Sequence, residues 1–378
     1  MELTWVEISR KSLAHNLHRF KTIAPNSLLA PVVKANAYGH GLMPVARILE
    51  EEGADWLCVN SVYEAEALRR EGISLPLYLL GYLPPPDYET AVELGLRVVV
   101  YDTGTVHGLG QAAAERGATV PLHVKVETGN NRQGLDPDQA VQLARLIGAT
   151  PGVEFEGLSS HYADIEDTTD HSFAKNQLLL FQQTVESLAK VGMVPKYRNF
   201  SNSAATILWS ETHFELVRTG ISIYGMWPSK ETCVSAVLLN REKPMLKPVL
   251  TWKTVVAQLK RVAAGEFVSY GRTFRTTHPT RLAVLPIGYY DGYGRGLSNL
   301  GHVRINGHNA PVRGRVCMNM VMVDVSDVPA VEVGDEVVLL GKNLDKAVTA
   351  ENIAEWSNTI NYEVTTRINE RIPRRVVE

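Results

Sequence analysis

The stretch VVKANAYGHG, residues 32–41, runs from two valines through a single lysine into a turn of small residues. Val32 and Val33 read as the end of a buried strand. Gly39-His40-Gly41 reads as a turn leading into the helical pattern of Met43 to Glu51, so Lys34 falls where a strand opens into a loop. Burial there disfavours the ammonium form, which lowers the pKa and frees an amine able to form a Schiff base with an aldehyde. A lysine that only snorkels past a strand end is the plainer account of the same position. The flanking sequence has to decide between them.

Outward from Lys34, strand and helix alternate. Strand candidates lie at Ala30 to Lys34, Trp56 to Asn60, Pro76 to Leu80, Arg97 to Tyr101, Pro121 to Val126, Glu154 to Ser159, Tyr197 to Phe200 and Glu215 to Arg218. Helical patterns fall between them at Val62 to Glu71, Asp87 to Leu94, Asp138 to Ile147 and Ala174 to Val191, with Gly72, Gly95, Gly117 and Gly192 as stops. A strand and a helix or turn repeated eight times in roughly 230 residues is the arithmetic of a (β/α)8 TIM barrel. An open doubly wound sheet usually has fewer strands, and no G-x-G-x-x-G follows the first one here. Upstream, Trp5-Val6-Glu7-Ile8 reads as a short strand, and Leu13, Leu17 and Phe20 share one helix face.

Barrel chemistry sits at the carboxyl ends of the strands. Collected there are Lys34 with Tyr38, then Lys125 running into Glu127-Thr128-Gly129-Asn130-Asn131-Arg132, then His161, Ser201-Asn202-Ser203-Ala204-Ala205, and Arg218-Thr219-Gly220-Ile221. A serine hydroxyl, helix-start amides and a glycine after strands seven and eight suit a phosphate. Taken alone, Ser203 is as well explained as a helix N-cap. With a reactive lysine amine and a flat-faced histidine at the same mouth, the set points to pyridoxal phosphate.

From Met245 the grammar changes. Strands dominate at Leu250 to Leu259, Leu282 to Pro286, Val303 to Ile305, Met320 to Val325 and Glu336 to Leu340, with turns at Asn306-Gly307, Val333-Gly334-Asp335 and Gly341-Lys342-Asn343. The class is therefore α/β plus all-β: a barrel domain over residues 1–239 and a C-terminal β domain over 240–378, joined near Leu239 to Lys247. Tyr270 and Tyr289 stand out in its Gly- and Tyr-containing stretches, whose glycines mostly serve tight turns.

Composition narrows the function. The chain has 378 residues with 38 basic against 41 acidic side chains and no block of one sign, so neither nucleic acid nor a membrane surface is implied as a partner. Cys58, Cys233 and Cys317 are too few and scattered for a disulfide frame or a metal site, which fits a reducing compartment. Glu2 and Glu7 stand where a secretory signal needs a cationic, then apolar, start, and no apolar run spans a bilayer. A soluble cytoplasmic protein is expected.

VVKANAYGHG, HVKVETGNNRQG, EGLSSH, SNSAA, VRTGISIYG, VSYGRTF, IGYYDGYGR, GRVCMN and TINYEV occur in this order. By these motifs the chain resembles the alanine racemase family, pyridoxal 5'-phosphate enzymes of fold type III, over essentially its whole length. The resemblance implies interconversion of L- and D-alanine by two bases, supplying D-alanine for peptidoglycan. Lys34 would hold the cofactor and act on the D face, while Tyr270, donated by the partner of a homodimer, would act on the L face. Tyr38, Asn202, Ser203, Gly220, Ile221 and Tyr362 would bind the cofactor at or near its phosphate. His161 would stack on the ring, and Arg218 would face the ring nitrogen. Arg132, with Met318, would contact substrate as well as the ring oxygen, oriented by Lys125 as a carbamate.

Four positions depart from the family pattern. Asn319 replaces the usual aspartate after Cys317-Met318, Glu127 replaces an aspartate, Asn130-Asn131 replaces a smaller pair, and Glu166 stands where an access-channel aspartate is common. Arg295, Arg315 and Ile360 keep the channel pattern. A related barrel decarboxylase should carry a glycine-rich phosphate loop and a late cysteine-aspartate motif, which are not found. A single-barrel cofactor carrier should lack the residues beyond Met245. Tyr270, Tyr362 and Met318 would crowd the pocket toward a methyl side chain, with serine as a slow substrate.

Overall fold

A computed structural model describes residues 2–241, 244–343 and 346–378. Strand β1 (Thr4–Ser9) and a helix, Arg10–Ile23, come first. Eight short strands follow: β2 (Leu28–Leu29), β3 (Leu57–Val59), β4 (Leu77–Leu79), β5 (Arg97–Val100), β6 (Val120–Lys125), β7 (Val153–Ser159), β8 (Tyr197–Asn199) and β9 (Leu216–Val217). Strands β3 to β8 form one parallel sheet in chain order, and β2 pairs in parallel with β9. The ring closes through a bridge between Val32 and Cys58 on one side, and through the Arg218 N–H donating to Ser201 O at 3.1 Å on the other. All eight strands expected from the sequence are present, the first regularly paired two residues earlier than expected and continued by the Val32 bridge.

These strands are apolar on both faces because helices cover the outside while side chains fill the inside. Leu57, Val59, Leu77, Leu79, Val98 and Leu122 are all buried. The covering helices Leu42–Glu51, Val62–Arg70, Tyr88–Glu93, Pro137–Ala149 and Ser172–Lys190 follow the predicted pattern, and Thr103–Ala114, for which no pattern was read, joins them. Ser61, Asp102 and Asp136 cap three of them by accepting backbone N–H groups.

The chain divides into two compact units, Ser12–Lys34 with Val45–Lys247, and Met1–Lys11 with Ala35–Pro44 and Pro248–Glu378. In the second unit, β1 pairs antiparallel with β10 (Leu250–Val255) and parallel with Arg374–Val377. The strand read at the start of the chain therefore belongs to this sheet. Its remaining members are Glu336–Asn343, His302–Ile305 and His308–Pro311, with Lys346–Val348 paired to Glu336–Asn343. A smaller sheet joins Gln258–Val262, Thr280–Leu285 and Val321–Asp324.

Two expectations for this unit change. The strand expected over Leu250 to Leu259 breaks after Val255 and resumes at Gln258, in the other sheet. Gly341-Lys342-Asn343 extends a strand and does not turn, because Gly341 and Lys342 continue the ladder opposite Val348 and Ala347. In the connection Leu239 to Lys247, Glu242 and Lys243 lie outside the described residues.

Candidate active site

In the barrel unit, pairing continues to the residue before Lys34: the Val33 N–H donates to Cys58 O at 2.9 Å, and the Tyr224 hydroxyl donates to Val32 O at 2.7 Å. Lys34 is thus the end of an anchored strand. Burial lowers its pKa from 10.5, Arg132 adds to this, and Glu64 acts in the opposite direction. Both influences shift the balance toward the neutral amine.

Lys125 ends β6, and burial, reinforced by Arg218 and Arg132, holds it well below 10.5. His161, just beyond β7, is held well below 6.5 by burial and then by Lys125 and Arg218. Lys125, Arg132, Ser160 and His161 line one cleft. Arg132 reaches it from an exposed loop curled around Glu127, whose carboxylate accepts the N–H groups of Gly129 and Asn130 at 2.6 Å each. The extra methylene of Glu127 is spent on this turn, so Asn131 sits at φ 52° and Arg132 is presented at the rim.

Arg218 is buried, donating from Nη1 to Asn199 O and from Nη2 to Ser160 O, both at 2.8 Å. Asn202, not Ser203, caps the helix Ser203–Leu208, its side chain accepting the Ala205 N–H at 2.9 Å. Ser203 Oγ instead accepts the Gly220 N–H at 2.9 Å, tying the loop after β8 to the loop after β9. Ile221 is buried beside it. Among the described residues, Thr219 Oγ1 and Ser222 Oγ are buried with no hydrogen-bond partner. Orphaned hydroxyls flanking a glycine amide fit a phosphate, whose oxygens accept several donors at once. The donor set therefore fits pyridoxal phosphate.

In the other unit, Lys34 is followed by a left-handed turn: Ala35, Asn36, Ala37 and Tyr38 have φ of 53–54°, and Gly39 has φ 83°. Left-handed backbone costs roughly 1 kcal/mol per non-glycine residue, so an external clamp is required. The Leu42 N–H donates to Asn36 Oδ1 at 2.8 Å, and Arg374 Nη2 donates to Gly39 O at 2.9 Å and to Ile368 O at 3.1 Å. Gly39 lies against helix Asn361–Thr366 so closely that a Cβ would sit 1.9 Å from Thr365 O. The clamp brings the rings of Tyr38 and Tyr362 to 6.1 Å, uniting two of the predicted cofactor contacts.

Tyr270 is 74 % exposed on a short turn between Ser269 at φ 67° and Gly271 at φ 70°. Met318 is exposed too, its loop held by the Tyr289 N–H donating to Cys317 O at 3.1 Å and the Tyr290 N–H to Met318 O at 3.0 Å. Gly288 permits this, since a Cβ there would meet Cys317 O at 2.2 Å. Tyr289 itself starts a short helical turn. Asn319, Arg295 and Ile360 are exposed, and Glu166 and Arg315 half-buried.

Sequence reasoning passed over Gln177, Asn199 and Arg374. Gln177, buried in the helix Ser172–Lys190, donates to Thr128 Oγ1 at 3.3 Å and His161 O at 3.4 Å and accepts the Ala163 N–H at 3.0 Å. A lone glutamine on an apolar helix face was its only signal. Among the described residues no cluster of metal-ligating side chains occurs, and no helix is long and apolar enough to cross a membrane.

Residues 8–228 match the family model described as alanine racemase, N-terminal domain, and residues 249–376 the one described as alanine racemase, C-terminal domain. The chain is 40% identical to the alanine racemase of Halothermothrix orenii, with 98% of this chain and 96% of that protein covered. It is 38% identical to alanine racemase 1 of Clostridium acetobutylicum over 98% of this chain and 94% of that one. Among solved structures, the alanine racemase from D-cycloserine producing Streptomyces lavendulae superposes with a TM-score of 0.92 at 35% identity, covering 100% of this chain and 98% of that one. The Bacillus anthracis alanine racemase with bound L-Ala-P gives 0.91 at 33% identity, covering 100% and 96%. Matched in both halves and along nearly its whole length, the chain belongs to the alanine racemase family.

Proposed function

We propose that this protein interconverts L-alanine and D-alanine with pyridoxal 5'-phosphate, in the cytoplasm and as a homodimer, supplying D-alanine for peptidoglycan. The observation that carries the reading is the half-buried Lys34 at the end of an anchored barrel strand, its ammonium form opposed by desolvation and by Arg132. A lowered proton affinity suits a covalent attachment point and proton acceptor. Family membership supplies the substrate.

When bound through Lys34, the cofactor supplies an electron sink that acidifies the substrate's Cα–H. Ser203, Gly220 and Ile221 would hold the phosphate, as would Tyr38 and Tyr362, with Asn202 shaping the start of the helix Ser203–Leu208. His161 would pack on the ring face. Its suppressed proton affinity keeps it a neutral, flat surface. Arg218 would offer an N–H to the ring nitrogen and, unable to give that proton up, would leave the nitrogen unprotonated. Lys34 would hold or deliver a proton at Cα on the D face. Tyr270 from the partner subunit does the same on the L face, and its exposure here is what a group serving another chain's site needs.

Arg218, Arg132 and Lys34 all oppose a charged Lys125, and Glu127 acts in the opposite direction. A neutral amine there adds to carbon dioxide, losing a proton and becoming an anionic carbamate that orients Arg132. Arg132 and Met318 then border the substrate, and Met318 with Tyr362 and Tyr270 restricts its side chain to about a methyl group.

The test is chiral chromatography of L-alanine, L-serine, L-lysine and L-arginine after incubation with the cofactor-loaded protein and with Lys34→Ala. D-alanine formed rapidly and alone, and abolished by the substitution, is the expected result. D-forms of the basic amino acids would overturn the small pocket, and no enantiomer from any of them would overturn the racemase reading.

A further inference from the structure

A run of polar side chains lies inside the barrel beneath Arg218, and the reaction above does not consume it. His123 on β6 is fully buried, with Nε2 3.0 Å from Glu156 Oε2 and Nδ1 3.0 Å from Asn199 Nδ2. Asn199 Oδ1 accepts from Arg218 Nη1. At the far end Arg97 Nε is 3.0 Å from Glu156 Oε2 and lies over the ring of Trp56. Tyr78 and Tyr197 complete the aromatic wall around His123.

Donor and acceptor roles along this run are fixed by chemistry. Arg218 can only donate, so Asn199 must turn its oxygen to Arg218 and its amide hydrogens to His123. His123 Nδ1 must then accept, and Nε2 carries the proton that is donated to Glu156. One arginine and one carboxylate therefore dictate both the amide orientation and the imidazole tautomer between them.

The backbone is shaped to admit this arrangement. Pairing between β6 and β7 steps by one residue: Leu122 faces Phe155 and His123 faces Gly157, which leaves Glu156 unmatched in the ladder. Such a bulge re-aims a side chain, and here Glu156 is 5 % exposed. Gly157 makes room, since a Cβ there would lie 2.4 Å from His123 Nδ1. A packing role alone would be met by apolar side chains without burying Arg218 and Glu156.

We propose that Asn199 and His123 are positioning residues: the chain Glu156–His123–Asn199 holds Arg218 in one rotamer, so that the guanidinium presents its free edge to the cofactor ring. This rests on the pyridoxal phosphate reading of the site. The carboxylate end of the chain also polarises each bond toward Arg218, favouring a donor whose own acceptors are already aligned.

The experiment uses the full chain with nitrogen-labelled histidine, recorded with and without added pyridoxal phosphate near neutral pH. The expected spectrum of His123 is that of a neutral ring protonated on Nε2, in both states. Asn199→Asp reverses the polarity at that position and draws a proton onto Nδ1, so His123 becomes doubly protonated. Asn199→Ala, or the milder Asn199→Ser if the first does not fold, lowers pyridoxal phosphate affinity on the order of tenfold, the loss of one hydrogen bond to a charged group, and shifts the bound cofactor's absorbance. A proton on Nδ1 in the unmodified protein would overturn the proposal. So would unchanged cofactor affinity and absorbance in both Asn199 variants. If the unmodified protein binds no pyridoxal phosphate, the proposed function fails and the positioning of Arg218 toward it fails as well, while the tautomer still reports whether the hydrogen-bond chain exists.

Discussion

Ser203 and Gly220 stand on different barrel loops and are joined by one hydrogen bond, the Gly220 N–H donating to Ser203 Oγ at 2.9 Å. Ser203→Ala leaves that buried amide without an acceptor, which costs about 1–3 kcal/mol. It also frees the two loops proposed to hold the phosphate, so pyridoxal phosphate affinity should fall by at least about tenfold. Asn202→Ala removes the helix cap at a cost of about 1 kcal/mol. Urea unfolding and fluorescence titration with pyridoxal phosphate check both. Undiminished affinity in Ser203→Ala would remove this pairing from the site.

Gly39 should not tolerate a side chain. At φ 83° and with a Cβ 1.9 Å from Thr365 O, Gly39→Ala combines left-handed strain with a backbone clash. A destabilisation of at least about 2 kcal/mol is expected, and the rings of Tyr38 and Tyr362 must separate. Thermal unfolding measures the first effect and a crystal structure the second. A variant as stable as the parent would mean that this turn shifts freely.

Acid should weaken the same region. Burial pushes the His40 pKa down from 6.5 to about 4. Between those values the unfolded chain binds a proton that the folded chain refuses, so stability is present above pH 6.5 and lost as pH falls toward 4. The drop amounts to about 3 kcal/mol when complete. Urea midpoints across this range should fall for the parent and fall less for His40→Gln. Parallel curves would assign the acid sensitivity elsewhere.

Tyr270→Phe should split the two faces of the reaction. Racemisation should drop by roughly 10²–10⁴-fold with loss of one proton-transfer group. In deuterium oxide, D-alanine should still exchange its Cα hydrogen through Lys34 without inverting, while L-alanine exchanges far more slowly. Mass spectrometry of each enantiomer decides this. Equal exchange of both would remove Tyr270 from the L face.

The barrel was legible because most of its strands are buried on both faces and read as apolar runs, alternating with helical patterns closed by glycine. Val98-Val99-Val100 cannot easily be anything else. The partner of β1 was not legible: its alternating burial shows in Val6 and Ile8, but nothing local says that β10 and Arg374–Val377, hundreds of positions away, receive it. The turn after Lys34 was hidden for a different reason. Ala-Asn-Ala carries no glycine signature, and its left-handed form is imposed by Arg374 and Thr365 from the far end of the chain. Ser203 looked like a cap because serine prefers that role, and only Asn202 one residue earlier displaced it. His123 and Glu156 read as ordinary strand residues, although Gly157 inside a strand did signal a close approach.

The two compact units exchange pieces of one polypeptide: residues 1–11 and 35–44 count with the unit that otherwise begins at Pro248. A gene cut at codon 239 would therefore not yield two autonomous products. The upstream fragment would carry β1 as an unpaired edge and the turn of Ala35 to Gly39 without its clamp, and the downstream fragment would have a sheet missing a central member. Neither half can be exchanged as a cassette between relatives. Co-expression of the two fragments would succeed only by reassembly during folding, and a chimera that keeps residues 1–11, 35–44 and 248–378 from a single parent is the smallest swap that leaves each hydrophobic core whole.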